Sequence, residues 1–165
     1  MTVIRGKVWK FGDNVNTDAM APGFAFKAPW EELKKVILHI HPKFVREAKP
    51  GDVIVAGKNW GCGSSREQAP ANLKRLGLGC VLAESFGRLY FRNCIALAFP
   101  SLVCPGVSDA FDEGDVLELE LEGALVMNTT TGKTLQGEPL SPDMLAIIAK
   151  GGLIPTLKER LNTKH

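Results

Sequence analysis

Three continuous apolar runs, Val53-Ile54-Val55-Ala56, Cys80-Val81-Leu82-Ala83 and Ser101-Leu102-Val103-Cys104, recur along the chain with stretches of helical length between them. Runs this short and this uniformly apolar read as strands buried on both faces. A strand–helix–strand–helix–strand order built from them implies parallel pairing through right-handed crossovers, because helices must cover both faces of such a sheet. The intervening helices are expected from the glycine-rich turn to about Leu76, with Gly77-Leu78-Gly79 as the stop, and over roughly 87–97.

The flanking segments complete a single α/β domain over residues 1–165. Residues 3–11 alternate as a strand with one buried face, and Gly12-Asp13-Asn14 turns the chain into a loop running to about Pro29. Acids in the first turn and apolar residues at helical spacing predict a helix of about three turns over 30–38. Pro42, Pro50 and Gly51 punctuate the return to the first buried strand. Strict alternation over 115–121, then Gly123 and a second alternating run, predicts an antiparallel hairpin with one wet face. Helical stretches over 141–149 and 155–161 end the chain, the first with Ser141 as N-cap before Pro142.

Composition narrows function by exclusion. A net charge of +2, with Lys and Arg spread along the chain, provides no basic footprint for nucleic acid. No apolar run approaches the roughly 18 residues of a membrane span, and Met1-Thr2-Val3-Ile4-Arg5 lacks a signal-peptide layout, so the expectation is a cytoplasmic protein. Cys62, Cys80, Cys94 and Cys104 match no zinc or iron–sulfur spacing, and no metal is expected on this chain.

The segment Gly57-Lys58-Asn59-Trp60-Gly61-Cys62-Gly63-Ser64-Ser65-Arg66-Glu67-Gln68-Ala69-Pro70 follows the first buried strand and reads as a glycine-rich turn with a helix opening at the two serines. Ser64 and Glu67 fit a capping box, a purely structural role. That role explains neither the small residues Gly61-Cys62-Gly63, which let a ligand approach the backbone, nor Arg66, which opposes a helix dipole unless an anion is bound. A phosphate loop fails on spacing, because Lys58 precedes the turn. A nucleophile elbow fails too: Gly-x-Ser-x-Gly is absent, and the only histidines, His39, His41 and His165, lie near a helix end or at the last position. A serine activated by N–H groups and positive charge suits proton abstraction beside a bound carboxylate.

These residues resemble the signature of the swivelling domain of the aconitase superfamily, in the form that isopropylmalate dehydratases and homoaconitases carry as a separate small subunit. Gly12-Asp13-Asn14-Val15-Asn16-Thr17-Asp18, Lys49-Pro50-Gly51-Asp52 and Ser85-Phe86-Gly87-Arg88-Leu89-Tyr90-Phe91-Arg92-Asn93 are similar to further motifs of that family, in the same order. The resemblance implies a hydro-lyase that moves a hydroxyl between adjacent carbons, with a [4Fe-4S] cluster held by a large subunit and none bound here. It implies Ser64 as the catalytic base, Ser65 and Arg66 as carboxylate ligands, and Asp18 as an active-site acid. Asp13 and Asn14 read equally well as turn formers.

Two departures from the family pattern bear on substrate. Gln68 stands where relatives usually carry His. The segment after Asp18, which selects substrate in relatives, reads Phe24-Ala25-Phe26-Lys27. Lys27 can pair with a third carboxylate or extend into solvent, and Phe24 and Phe26 can supply an apolar wall. The leading expectation is a small subunit acting on isopropylmalate in leucine biosynthesis. Homoaconitate or another substituted malate such as 2,3-dimethylmalate stays open, as does a non-catalytic anion-binding module.

Overall fold

The computed structural model describes residues 1–164; His165 lies outside them. Seven strands form one mixed sheet in the order β4-β3-β2-β1-β5-β6-β7: β1 (Val3–Lys10), β2 (Val53–Ala56), β3 (Val81–Ala83), β4 (Ser101–Val103), β5 (Val116–Glu120), β6 (Leu125–Asn128) and β7 (Thr134–Gln136). β2, β3 and β4 pair in parallel, as the apolar runs require, and β1 joins them in parallel beside β2. β1 also pairs antiparallel with β5, and β5, β6 and β7 continue as a meander. β1 is therefore the seam: residues 8–10 run beside β2, while residues 3–7 face β5.

Burial explains why the parallel runs do not alternate. Trp9, Ile54, Ala56, Val81 and Ala83 pack into one core, and their neighbours Val8, Val53, Val55 and Leu82 pack into a second on the opposite face. Leu117, Leu119 and Leu121 reach the second core while Glu118 and Glu120 remain partly exposed, so the meander keeps its wet face.

Eight helices cover this sheet among the described residues: α1 (Thr17–Met20), α2 (Trp30–Leu33), α3 (Pro42–Glu47), α4 (Gln68–Arg75), α5 (Arg88–Ala96), α6 (Val107–Ala110), α7 (Pro142–Ala149) and α8 (Leu153–Asn162). The stop after α4 is a Schellman motif. Gly77 adopts φ +90°, its N–H donates to Lys74 O (2.9 Å), and Leu78 N–H donates to Leu73 O (3.3 Å). Ser141 Oγ accepts from Met144 N–H (3.2 Å), as expected for the cap of α7.

Four expectations need correction. The predicted helix over 30–38 stops at Leu33: tighter turns follow, with Lys35 N–H donating to Glu32 O and Val36 N–H to Leu33 O, and Leu38 turns left-handed at φ +55° with its N–H donating to Ala19 O (2.7 Å) in α1. α3 occupies a stretch that its prolines suggested was only a connection; Pro42 starts this helix, and the His41 ring caps it by accepting from Phe44 N–H (3.2 Å). β7 adds a third strand where a hairpin was expected. Finally, α4 opens at Gln68, past both serines, and Glu67 makes no side-chain cap bond, so the capping box does not form.

One buried polar contact fixes the strand that carries the site. Asp52 immediately precedes β2, and its Oδ2 accepts from Trp9 Nε1 (2.8 Å) and Lys49 N–H (2.9 Å). Asp52→Ala would strand the buried indole N–H, so a loss of about 1–3 kcal/mol is expected in urea unfolding. A loss under about 0.5 kcal/mol would show that the contact is dispensable.

Candidate active site

Three loops leave the carboxyl ends of the adjacent parallel strands β1, β2 and β3, where open α/β sheets characteristically bind ligands. Backbone bonds sew them together. Asn14 N–H donates to Lys58 O (2.8 Å), Gly61 N–H to Val15 O (2.8 Å) and Thr17 N–H to Cys62 O (2.9 Å), which joins the first loop to the second. Trp60 N–H donates to Ser85 O (3.0 Å) and Gly87 N–H to Trp60 O (2.8 Å), which joins the second to the third. Asn14 and Asn59 both take left-handed backbone near φ +60°, and the Asn59 amide donates to Asn14 Oδ1 (3.1 Å). Asp13 joins the same two loops, its Oδ1 accepting from Lys58 N–H (2.7 Å).

Gly61 is a point of close approach in this weave. It sits at φ +79°, and a Cβ there would lie 2.2 Å from Tyr90 Cγ, inside the buried ring of α5. Glycine is needed for both reasons.

The Ser64 hydroxyl, free of any capping role, lies 3.1 Å from Thr17 Oγ1. Among the described residues the N–H groups of Ser64, Ser65 and Arg66 donate to no backbone carbonyl, which leaves a run of unpaired amide donors next to the hydroxyl in sequence. Asn16 caps α1 by accepting from Ala19 N–H (3.0 Å), which fixes Asp18 in its first turn. Arg66 Nη1 donates to Asp18 Oδ1 (3.0 Å) and to Ala21 O (2.8 Å). The Gly23 N–H bond and the Arg66 guanidinium hold the Asp18 carboxyl below its ordinary 3.8. A depressed carboxyl contributes fully above its unfolded value, so the clamp persists through neutral pH and is lost only as pH falls below 3.8 through the lowered value.

The predicted residues separate into two groups. Ser64, Arg66 and Asp18 converge, with Ser65 exposed between two of them and its carbonyl accepting from Asn93 Nδ2 (3.3 Å). The Phe24–Lys27 segment leaves the clamp directly after Gly23, with Phe24, Phe26 and Lys27 exposed. Ala25 turns inward at 6% exposure, so of that segment it is the residue that does not face a ligand. Gln68 is exposed at the start of α4.

Sequence reasoning missed Thr17 as the partner of Ser64. It also gave no role to Arg88 and Arg92, which line an open cleft of about 470 Å³ beginning at Ser64. Both stand in the quoted segment 85–93, so the signal was present without a function attached.

Burial pushes the Cys80 and Cys94 thiols up to about 12 and that of Cys104 up to about 11, as befits small side chains packed in the core, while Cys62 is part-buried in the glycine-rich turn. Among the described residues no three His, Cys, Asp or Glu side chains gather as a metal site, and no helix is long and apolar enough to cross a membrane.

Comparison with known proteins places relatives beside this geometry. The aconitase C-terminal domain family matches residues 27–103. The isopropylmalate/citramalate isomerase small subunit of Methanocaldococcus jannaschii is 46% identical over 97% of this chain and 96% of that protein. The 3-isopropylmalate dehydratase small subunit of Aquifex aeolicus is 43% identical over 97% of each chain. A solved structure of 3-isopropylmalate dehydratase from M. jannaschii superposes with a TM-score of 0.91 at 37% identity, covering 99% of this chain and 98% of that one.

Proposed function

The chain belongs to the 3-isopropylmalate dehydratase small-subunit family of aconitase C-terminal domains, and on that premise we propose that it is the small subunit of a hydro-lyase interconverting 2- and 3-isopropylmalate in leucine biosynthesis. Near full-length identity to proteins of that name carries this reading. The alternatives of homoaconitate and of a non-catalytic module have no comparable support. On this reading a large subunit completes the enzyme and carries the [4Fe-4S] cluster, which is what membership of this family of small subunits supports.

In this reading Ser64, as alkoxide, takes the carbon-bound proton next to a substrate carboxylate. The electron pair of that C–H bond forms the C=C bond as the adjacent C–O bond breaks, and the hydroxyl departs with its bonding pair and takes up a proton of solvent origin to become water. Rehydration in the opposite sense returns the proton and places the hydroxyl on the neighbouring carbon. The N–H groups of Ser64, Ser65 and Arg66 and the Arg66 guanidinium stabilise negative charge at the serine oxygen and the bound carboxylate. Asp18 holds Arg66 in place, and the Thr17 hydroxyl orients that of Ser64.

Phe24 and Phe26 stand exposed on a segment anchored at Asp18, an apolar rim suited to an isopropyl group. Lys27 sits on the same rim and is the position that would meet any additional carboxylate. The test is turnover by this chain purified with its large subunit on a panel of malates and tricarboxylates. Isopropylmalate is expected to turn over at a kcat/KM at least 100-fold above homoaconitate, since a desolvated carboxylate against an apolar rim is strongly disfavoured. Turnover confined to tricarboxylates would overturn the assignment.

A further inference from the structure

Charge accounting around Ser64 leaves a gap that a second pair of residues fills. The proposed substrate is a dianion, yet Arg66 already faces the carboxylate of Asp18 at 3.0 Å, and the clamp as a whole is neutral. Arg66 and Asp18 also lie outside the lining of the cleft that opens at Ser64. Its volume, about 470 Å³, is that of an ordinary small-ligand site. Its floor is the turn Gly61-Cys62-Gly63, with little side chain to obstruct a ligand, and its charged wall is Arg88 and Arg92. These arginines are one helical turn apart on α5, so their side chains share a face. Neither has an ion-pair partner among the described residues. Two unpaired guanidiniums side by side repel each other, and a carboxylate between them relieves that repulsion through bidentate hydrogen bonds.

We propose that Arg88 and Arg92 form a carboxylate-binding wall of the Ser64 cleft, holding the substrate carboxylate that the Asp18-neutralised Arg66 does not, an inference that rests on the dicarboxylate reading above. The substrate then lies across Ser64 with one carboxylate toward α5 and the other toward the free amides of Ser64 to Arg66. Arg88 and Arg92 are specificity residues for dianions, and the proton transfer stays with Ser64.

Arg88→Gln, Arg92→Gln and the double variant should be compared in the complex with the large subunit. The expected result is a KM for isopropylmalate raised about tenfold or more in each single variant and about 100-fold or more in the double, as loss of charged hydrogen bonds implies. kcat should stay within about threefold, and the subunits should still co-elute. Succinate, used as a dianionic competitor, should weaken in parallel, and Arg92→Lys should recover part of its binding. KM and succinate inhibition both within about twofold of the parent would overturn the proposal. So would dissociation of the complex, which would make the arginines a docking surface for the large subunit. If the parent complex turns over no substituted malate, the functional reading fails; calorimetric titration of succinate into parent and double variant then decides the arginine wall separately, with equal binding refuting it.

Discussion

Ser64→Ala in the assembled enzyme is expected to lower kcat by about 10²–10⁴-fold, the range that a positioned general base supplies, while KM moves by less than about threefold. The asymmetry follows from where the hydroxyl sits. Its one side-chain hydrogen bond among the described residues is with Thr17 Oγ1 at 3.1 Å, and the amide donors and arginines that would bind carboxylates remain when it is removed. Stability should change little, because Ser64 is exposed and substitutions at such positions usually stay within about 0.5 kcal/mol. Steady-state kinetics with an unfolding curve of the same preparation make the check. A kcat within tenfold of the parent would remove Ser64 from the chemistry; a matching rise in KM would recast it as a ligand.

Gly61→Ala should produce a large loss of stability for a single added methyl. The added Cβ would lie 2.2 Å from Tyr90 Cγ, and Tyr90 is 1% exposed with no room to withdraw. Overpacking of this kind costs about 1–3 kcal/mol, and a side chain at left-handed φ adds about 1–2 kcal/mol. A total of about 2–5 kcal/mol is a large part of the 5–15 kcal/mol that holds an ordinary domain together. Activity should fall as well, since Gly61 N–H donates to Val15 O and so ties the loop of Asp18 to that of Ser64. Gly12→Ala is the internal control, because a Cβ there meets nothing within 4 Å. A urea midpoint for Gly61→Ala equal to that of Gly12→Ala would show that the ring and turn yield freely.

Much of the scaffold around these residues was legible because its signals are local. Val53–Ala56 and Val81–Ala83 bury neighbouring side chains in opposite cores, and that double burial is what uninterrupted apolar runs encode. Gly77 and Ser141 act where their backbone and hydroxyl chemistry put them. Local signals failed where a distant contact outweighed them. The helical pattern of 30–38 gave way to tighter turns that end where Leu38 bonds to Ala19, and a sound capping box at Ser64 and Glu67 went unused because loops far along the chain engaged Ser64 and Arg66.

The sequence by itself determined that β2, β3 and β4 lie parallel and that a glycine-rich turn with two serines and an arginine ends a buried strand. Its motif order also pointed to the family. Only the tertiary structure decided what meets the serine: Thr17 from a position 47 residues earlier, Asp18 through Arg66, and the α5 arginines on the other side of the cleft. The physical reason is that periodicity reports the neighbours of a residue along one element, whereas the facing of three loops depends on which strands stand side by side and in what register. That arrangement places β2 between β1 and β3, and with it Ser64 between a neutral clamp and an unpaired positive wall.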